Sequence, residues 1–576
     1  MALGHRNPHV GSSPSPEEDP EKKAEYTATD YQFPAVEGAD GDFDEVNRLH
    51  RGLKARHVAM IAIGGAIGTG LIIGTGSALA KAGPAAILIS YSIVGLLVYV
   101  VMCALGEMAA WLPLPSGFTG YAGRFVDPAL GFAVGYTYWF KYIITTPNQL
   151  TAAALVIQYW VDRDTVNPGV FIAIFLVLII LINYFGIHFF GEFEFWLSSI
   201  KVVVILGIII VSLVIALGGG PDHDRRGFRY WKDPGAFNTY IEDGDAGRFY
   251  AFWSTMVTAT FAFLGTELVG VTVGEAQNPR KTIPKAIKLT FFRIVIFYIL
   301  SVLLLGMCVP YDSEDLIWAT EQSNSAAASP FVVAIKLAGI DALPAILNAC
   351  ILIFVFSASN SDLYIASRTI YGIAREGKAP KILARTDSRG VPIYALGLSA
   401  LFALLAFMNV SDSSKKVFTY FVNLVTIFGL LTWISILLTH IYFVRARVAQ
   451  NIPPTSLAYQ SPFGIYGSAI ALAFCILIAL TKNYTVFVHD PDDYGNFDYK
   501  TFITGYLGIP LYLGMIVGYK YWCGTKGWAP AEADLFSGKA AIDREEEEFL
   551  AREAEKRALG DKKGHRFYRR FVAWLF

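Results

Sequence analysis

The chain has 576 residues, of which 54% are hydrophobic and only 16% charged, and its mean hydropathy is +0.44. That balance excludes an ordinary soluble domain, and a formal net charge of −1 gives no electrostatic footprint for a nucleic-acid partner. Cys103, Cys308, Cys350, Cys475 and Cys523 are odd in number and scattered through mostly apolar runs, a spacing that fits neither a metal site nor a disulfide framework.

Residues 1–56 read as a disordered acidic tail. Positions 1–47 hold eleven Asp and Glu beside Ser-Pro pairs and have little apolar content. No signal-type leader precedes the first apolar run, so this tail is expected to stay cytoplasmic. Twelve membrane-length apolar stretches follow between residues 57 and 523: 57–80, 84–112, 129–160, 168–188, 192–217, 250–275, 288–310, 331–360, 392–409, 417–443, 464–483 and 501–523. The chain therefore reads as an all-α polytopic membrane protein. Basic clusters sit before the first span (Arg48, Arg51, Lys54, Arg56), after the sixth (Arg280, Lys281, Lys285, Lys288) and after the eighth (Arg368, Arg375, Lys378, Lys381, Arg385, Arg389). All three fall on one side if both termini are cytoplasmic, as the positive-inside rule requires. The 218–249 loop, with Arg225, Arg226 and Arg229, is long and follows that rule weakly. Residues 524–576 form a charged C-terminal tail, read as a surface helix followed by HRFYRRFVAWLF, which suits an anionic leaflet or simple solvation equally.

Two spans are interrupted. The first carries GGAIGTGLIIG at residues 64–74 and the sixth FAFLGTELVG at residues 261–270. Unwound backbone inside a bilayer is tolerated only where it lines a cavity or is buried by protein, and paired broken helices point to a midplane substrate site. Amides freed at Ala66, Ile67, Gly68, Thr69 and Gly70, at the N-terminus of a half-helix, suit a carboxylate. Carbonyls freed around Phe261, Ala262 and Leu264, beside Gly265 and Thr266, suit an ammonium. An anion site facing a cation site is the footprint of an amino acid. The bland alternative is that these glycines only allow close helix packing.

The segments KARHVAMIAIGGAIGTGLIIGTG, LGEMAAWLP with SGF, ELVGVTVGEAQNPRKTIPKA and ASRTIYGIAREGKAP together resemble the fungal amino acid permeases of the amino acid–polyamine–organocation superfamily, over roughly residues 45–540. The resemblance implies a five-plus-five inverted repeat with broken helices 1 and 6 and two extra helices. It also implies proton-coupled uptake at the plasma membrane, driven by the proton gradient with no cofactor and no bound metal. Carried over by position, Gly68, Thr69 and Gly70 would bind the substrate carboxylate, Phe261 would be an aromatic gate, and Glu267 would sit just past the second break.

Ionisable residues inside spans are functional hypotheses by default, since each costs about 2.5–3.5 kcal/mol at a helix centre. Glu107 reads as a structural partner at the inner end of the second span. Glu267 reads as a protonatable group or a cap. Where related sodium-driven proteins hold a metal ion between spans one, five and eight, the resemblance implies that Lys201 supplies the positive charge and a proton to release; the alternative is a static bridge to Glu194, two turns away. Broad-range relatives are expected to carry a neutral residue at Lys141 and a glutamate at Gln149, so this chain exchanges an acid for a base, which suits a substrate with an extra carboxylate. Snorkelling of Lys141 to an interface remains the alternative. Asp362, in SASNSDLY, fits an acidic-substrate branch only if it is protonated or paired with Lys141 or Lys201.

The expected function is uptake of glutamate and aspartate by alternating access, against a broad or neutral permease and, in another class, a transporter-like sensor. No nucleophile–base constellation or phosphate loop points to an enzyme. The expected partners are the amino acid, protons, membrane lipid and, through Lys22 and Lys23, ubiquitin-ligase machinery on the tails.

Overall fold

Proline and short polar caps set many of the helix starts. Pro84, Pro128, Pro168, Pro330 and Pro344 each lie in a first helical turn, where the missing N–H is no loss. Asp127 and Asn167 add side-chain caps, accepting from the Ala129 and Gly169 amides at 2.8 Å. The computed structural model describes residues 60, 68–114, 116–185, 187–271, 279–321, 329–410, 414–488 and 497–558. The acidic tail, Ala66, Ile67 and HRFYRRFVAWLF lie outside the described residues.

A π-helical turn at Gly70–Gly74 leads into α1 (Thr75–Ala82). Then come α2 (Pro84–Trp111), α3 (Gly117–Phe125), α4 (Pro128–Ile157), α5 (Pro168–Tyr184), α6 (Ile187–Ala216) and α7 (Gly244–Phe263). After a break, α8 (Leu268–Val271) is followed by α9 (Pro279–Arg293), which runs through a π segment into α10 (Leu300–Cys308). The second half holds α11 (Glu314–Glu321), α12 (Pro330–Leu337), α13 (Leu343–Arg375), α14 (Ile393–Ala403), α15 (Ser414–Ala449), α16 (Gly464–Thr481), α17 (Tyr499–Tyr506), α18 (Gly508–Cys523) and α19 (Lys539–Ala558).

Six described helices are long and apolar enough to cross a membrane, and a seventh span results if α17 and α18, bent by 43°, count as one. Two shorter apolar helices coincide with the expected fourth and ninth spans. Of the twelve expected stretches, the remaining three are the two broken ones and α4. That helix is buried along most of its length against α13 and α15, so it tolerates polar residues that a lipid-facing helix would not. Large apolar side chains such as Val203, Ile210, Leu401, Ile470 and Val517 are exposed on the outer helices, as a lipid-facing surface requires.

Two boundaries differ from expectation. The expected eighth span, 331–360, is two helices: α12 ends at Leu337, Gly339 turns the chain at φ +72°, and α13 starts afresh and runs on to Arg375. The apolar run hides the turn because Gly339 and Pro344 sit among hydrophobic residues. The C-terminal region is also less separate than a tail starting at 524. The Trp111 indole donates to the Leu535 carbonyl at 2.9 Å, Trp528 donates to Gly123 at 2.9 Å, and the Gln450 amide reaches Ala533 at 2.7 Å. Arg280 then pairs with Asp543 and Glu546 of α19, at 2.5 and 2.9 Å.

Candidate functional site

The two breaks touch backbone to backbone. A Cβ added at Gly70 would lie 2.5 Å from the Cα of Ala262 and 2.8 Å from its nitrogen, so only glycine permits this approach. In the second break α7 ends at Phe263, Gly265 adopts φ +98°, and α8 restarts at Leu268. A residue with a Cβ would be strained in that left-handed turn at Gly265. The Phe261 carbonyl, expected to be free, accepts from the Leu264 amide at 3.2 Å and so caps α7.

One cavity lies at this crossing. Gly68, Thr69 and Gly70 line it from the first break, and Phe261, Ala262, Leu264, Gly265 and Leu268 from the second break and the start of α8. From α4 come Lys141, Tyr142, Thr145 and Gln149, from α13 Ala358, Ser361 and Asp362, and from α15 Val425. Lys141, Thr145 and Gln149 share one face of α4 because they are spaced by four residues. Four polar atoms on these lining residues are buried with no hydrogen-bond partner among the described residues: Thr69 Oγ1, Gln149 Oε1, Ser361 Oγ and Asp362 Oδ2. Buried polar groups are normally paired, so this cluster marks a surface built for a polar guest. The Phe261 ring stands at the cavity edge, perpendicular to Phe418 with centroids 6.2 Å apart.

Of the residues singled out from the sequence, Gly68, Thr69, Gly70, Phe261, Ala262, Leu264, Gly265, Lys141, Gln149 and Asp362 line this one cavity. Thr266 and Glu267 are not on the lining. Thr266 bonds back to the Phe263 carbonyl at 3.0 Å. Glu267 is buried and grips Lys141 through Oε1; the Gly265 amide donates to both its oxygens, at 3.1 Å to Oε2 and 3.3 Å to Oε1, and the Trp433 indole donates to Oε2 at 3.3 Å. The Lys141 ammonium also lies 3.4 Å from the Tyr142 hydroxyl and over the Tyr142 and Tyr138 rings, at 4.7 and 5.3 Å. It is 1% exposed, so it does not snorkel.

Lys201 is equally buried but off the lining. Its ammonium is 3.8 Å from Glu194 Oε1, and that oxygen also accepts from Ser198 at 3.1 Å and Ser357 at 2.7 Å. Asp362 faces Lys141, Gln149 and Lys201. The five charges form a row: Glu267, Lys141, Asp362, Lys201, Glu194. The expected Lys141–Asp362 pairing is therefore secondary, because the direct partner of Lys141 is Glu267. Glu107 holds the Ser461 amide at 2.8 Å and His440 Nε2 at 3.2 Å, away from this row.

Sequence reasoning misses Trp433, Tyr138, Tyr142, Thr145 and Ser361. Thr145 is recoverable from its four-residue spacing to Lys141. Trp433 is not, since it lies 166 residues from the Glu267 it contacts.

Comparison with known proteins gives the family. The family described as amino acid permease matches residues 57–528. The dicarboxylic amino acid permease of Saccharomyces cerevisiae is 55% identical over 96% of this chain and 90% of its own length. The proline-specific permease of Emericella nidulans is 40% identical, covering 88% of this chain and 91% of its own, and the lysine-specific permease of Saccharomyces cerevisiae is 39% identical over 87% and 80%. A mutant form of the Eremococcus coleocola manganese transporter, 12% identical, superposes with a TM-score of 0.51 over 84% of this chain and 95% of that one, a likeness of fold alone. A broken-helix cavity built for a polar guest, in a chain whose relatives are permeases along nearly its whole length, makes this a multi-pass membrane protein of the amino acid permease family.

Proposed function

We propose that the chain takes up acidic amino acids, glutamate and aspartate, together with protons. One observation carries the reading: a lysine ammonium stands in the wall of the same cavity that both helix breaks line. The α-carboxylate sits on the amides of the first break, Gly68 to Gly70, and the α-ammonium on carbonyls of the second, around Ala262 and Leu264. The side-chain carboxylate then reaches Lys141, and Gln149, neutral at that position, adds no opposing charge. The name of the dicarboxylic amino acid permease, the relative 55% identical to this chain, supports the same substrate class.

Lys201, Glu267 and Asp362 are the coupling groups in this reading, and the proton gradient is the driving force. Each positive charge moved inward gains about 2.3 kcal/mol per 100 mV of membrane potential. The fold is read as twelve spans, a five-plus-five inverted repeat with two added helices, working by alternating access in the plasma membrane with both termini cytoplasmic. Residues 1–56 and 524–576 are regulatory regions flanking the permease domain, the second of them docked on it through Trp528, Leu535 and Asp543, with Lys22 and Lys23 as sites for ubiquitin-ligase machinery.

The test is uptake of labelled glutamate in permease-deficient cells, competed by each of the twenty amino acids. Aspartate and glutamate should compete far better than leucine, and a protonophore should abolish accumulation. Competition by leucine but not aspartate, or a strict sodium requirement at constant pH, contradicts the proposal.

A further inference from the structure

An acidic substrate that reaches Lys141 finds the ammonium already held. Its carboxylate partner is Glu267, which belongs to the broken segment, whereas Lys141 belongs to the continuous helix α4. Both side chains are buried, and only Lys141 lines the cavity. From the geometry we infer that Glu267 is an internal stand-in for the substrate's second carboxylate: an acidic amino acid displaces it from Lys141, and a proton neutralises it at the same time. The inference rests on the acidic-substrate reading above and adds the residue that links substrate to proton.

The two oxygens of Glu267 divide the work. Oε2 keeps the Gly265 amide and the Trp433 indole, both neutral donors that remain in place when Lys141 leaves. Oε1 shares only the longer arm of the Gly265 amide, at 3.3 Å, and loses its counter-charge when Lys141 leaves, so it is the oxygen that takes the proton. The other charged or titratable groups around Glu267 are Tyr138 and Tyr142 on α4, Arg293 on α9 and, beyond Lys141, Asp362 on α13. Arg293 is the one other cation in this set, and Lys141 is the cation in direct contact with Oε1. A buried carboxylate without an adjacent cation favours its neutral form. Charge stays balanced in the exchange: one carboxylate enters from the substrate and one proton enters with it. A neutral amino acid brings no second carboxylate and leaves the Lys141–Glu267 pair closed, so it draws no proton to this site.

The test uses the full chain, purified, with L-glutamate and its neutral isostere L-glutamine as probes. Wild-type protein should take up one proton per glutamate bound and none per glutamine, and its glutamate affinity should rise about tenfold for each unit of pH lowered, as linkage of one proton requires. In Glu267→Gln, which fixes the neutral state, glutamate affinity should be flat with pH. Exchange of labelled glutamate across a vesicle membrane should survive while concentrative uptake fails. Lys141 is left without its carboxylate in this variant, so glutamate should raise the melting temperature more than it does in wild type. Glu267→Asp, which keeps a titratable carboxylate, should restore proton uptake.

A folded Glu267→Gln that keeps the wild-type pH slope, or that glutamate no longer stabilises, overturns the inference. Should that variant not fold, proton uptake by the wild type and by Glu267→Asp decides the matter, and its absence overturns the inference. Failure of wild-type protein to bind glutamate or aspartate at all refutes the substrate reading itself, a result distinct from binding without proton uptake.

Discussion

Among the described residues, two buried lysine–glutamate pairs differ in what they join. Lys201 and Glu194 both lie on α6, two turns apart, and Ser198 and Ser357 share the carboxylate. Lys141 and Glu267 come from different parts of the chain, a continuous helix and the end of a break, and are 126 residues apart. A pair within one helix moves as a unit when helices shift. A pair between helices must part or be replaced. The second kind is therefore the one a substrate can enter, and the cavity lies on Lys141 and not on Lys201. Charges at the surface form a third class: Arg280 ties α19 to the body through Asp543 and Glu546, with all three side chains partly exposed.

Breaking the pair between helices should have the largest effect. Lys141→Gln removes a charged hydrogen bond to the substrate's second carboxylate, worth about 1.5–3 kcal/mol, and should weaken glutamate by roughly ten- to a hundredfold in competition assays. It also strands Glu267, and removing one partner of a buried pair costs about 3–5 kcal/mol of stability. The double variant Lys141→Gln with Glu267→Gln should regain most of that stability without regaining glutamate uptake, which thermal melting and uptake measured side by side will show.

Lys201→Met comes next. It removes the charge and keeps much of the bulk, while Glu194 retains its two serine donors. The ratio of glutamate to glutamine affinity should stay near the wild-type value while uptake loses part of its dependence on external pH. A collapse of that ratio would erase the distinction between the two pairs.

Arg280→Ala should have the smallest effect, since exposed ion pairs are worth about 0–1 kcal/mol. Hydrogen exchange in residues 539–558 should quicken modestly with little change in transport per molecule. The pH response of this contact has a definite sign. Partial burial works to raise the Asp543 carboxyl, but hydrogen bonds from Arg280 and Lys539 outweigh it and hold the group below the ordinary carboxylate value. A depressed carboxyl stabilises docking at every pH above its unfolded value, near 3.9, and loses that contribution only as pH falls through the lower folded value. Exchange in α19, corrected for intrinsic rates, should therefore be the same at pH 7.5 and pH 5.5.

The same comparison explains what was legible in the sequence. Both breaks announce themselves locally, because glycines at Gly70 and Gly265 stand where other residues would clash or strain. Lys141 and Lys201 stand out as bases inside apolar runs, and Glu194 is readable as the partner of Lys201 because they share a helix face. The partner of Lys141 is not readable, since the contact depends on how α4 crosses the second break. Gly339 was hidden by its apolar neighbours, which merged α12 and α13 into one expected span. Docking of residues 525–546 was hidden too, because it rests on Trp111, Gly123 and Gln450, each remote in sequence. Local backbone demands are written in the order of residues; contacts between helices are set by packing.

The central claim is that Lys141 reads a second carboxylate. Aspartate and asparagine have nearly the same shape and differ in that charge, so their relative power to compete with labelled glutamate tests the claim most directly. Wild-type protein should prefer aspartate by at least about tenfold, the equivalent of a single charged hydrogen bond, and Lys141→Gln should bring the ratio close to one. Equal competition by asparagine in the wild type, or an undiminished aspartate preference in Lys141→Gln, would contradict the account.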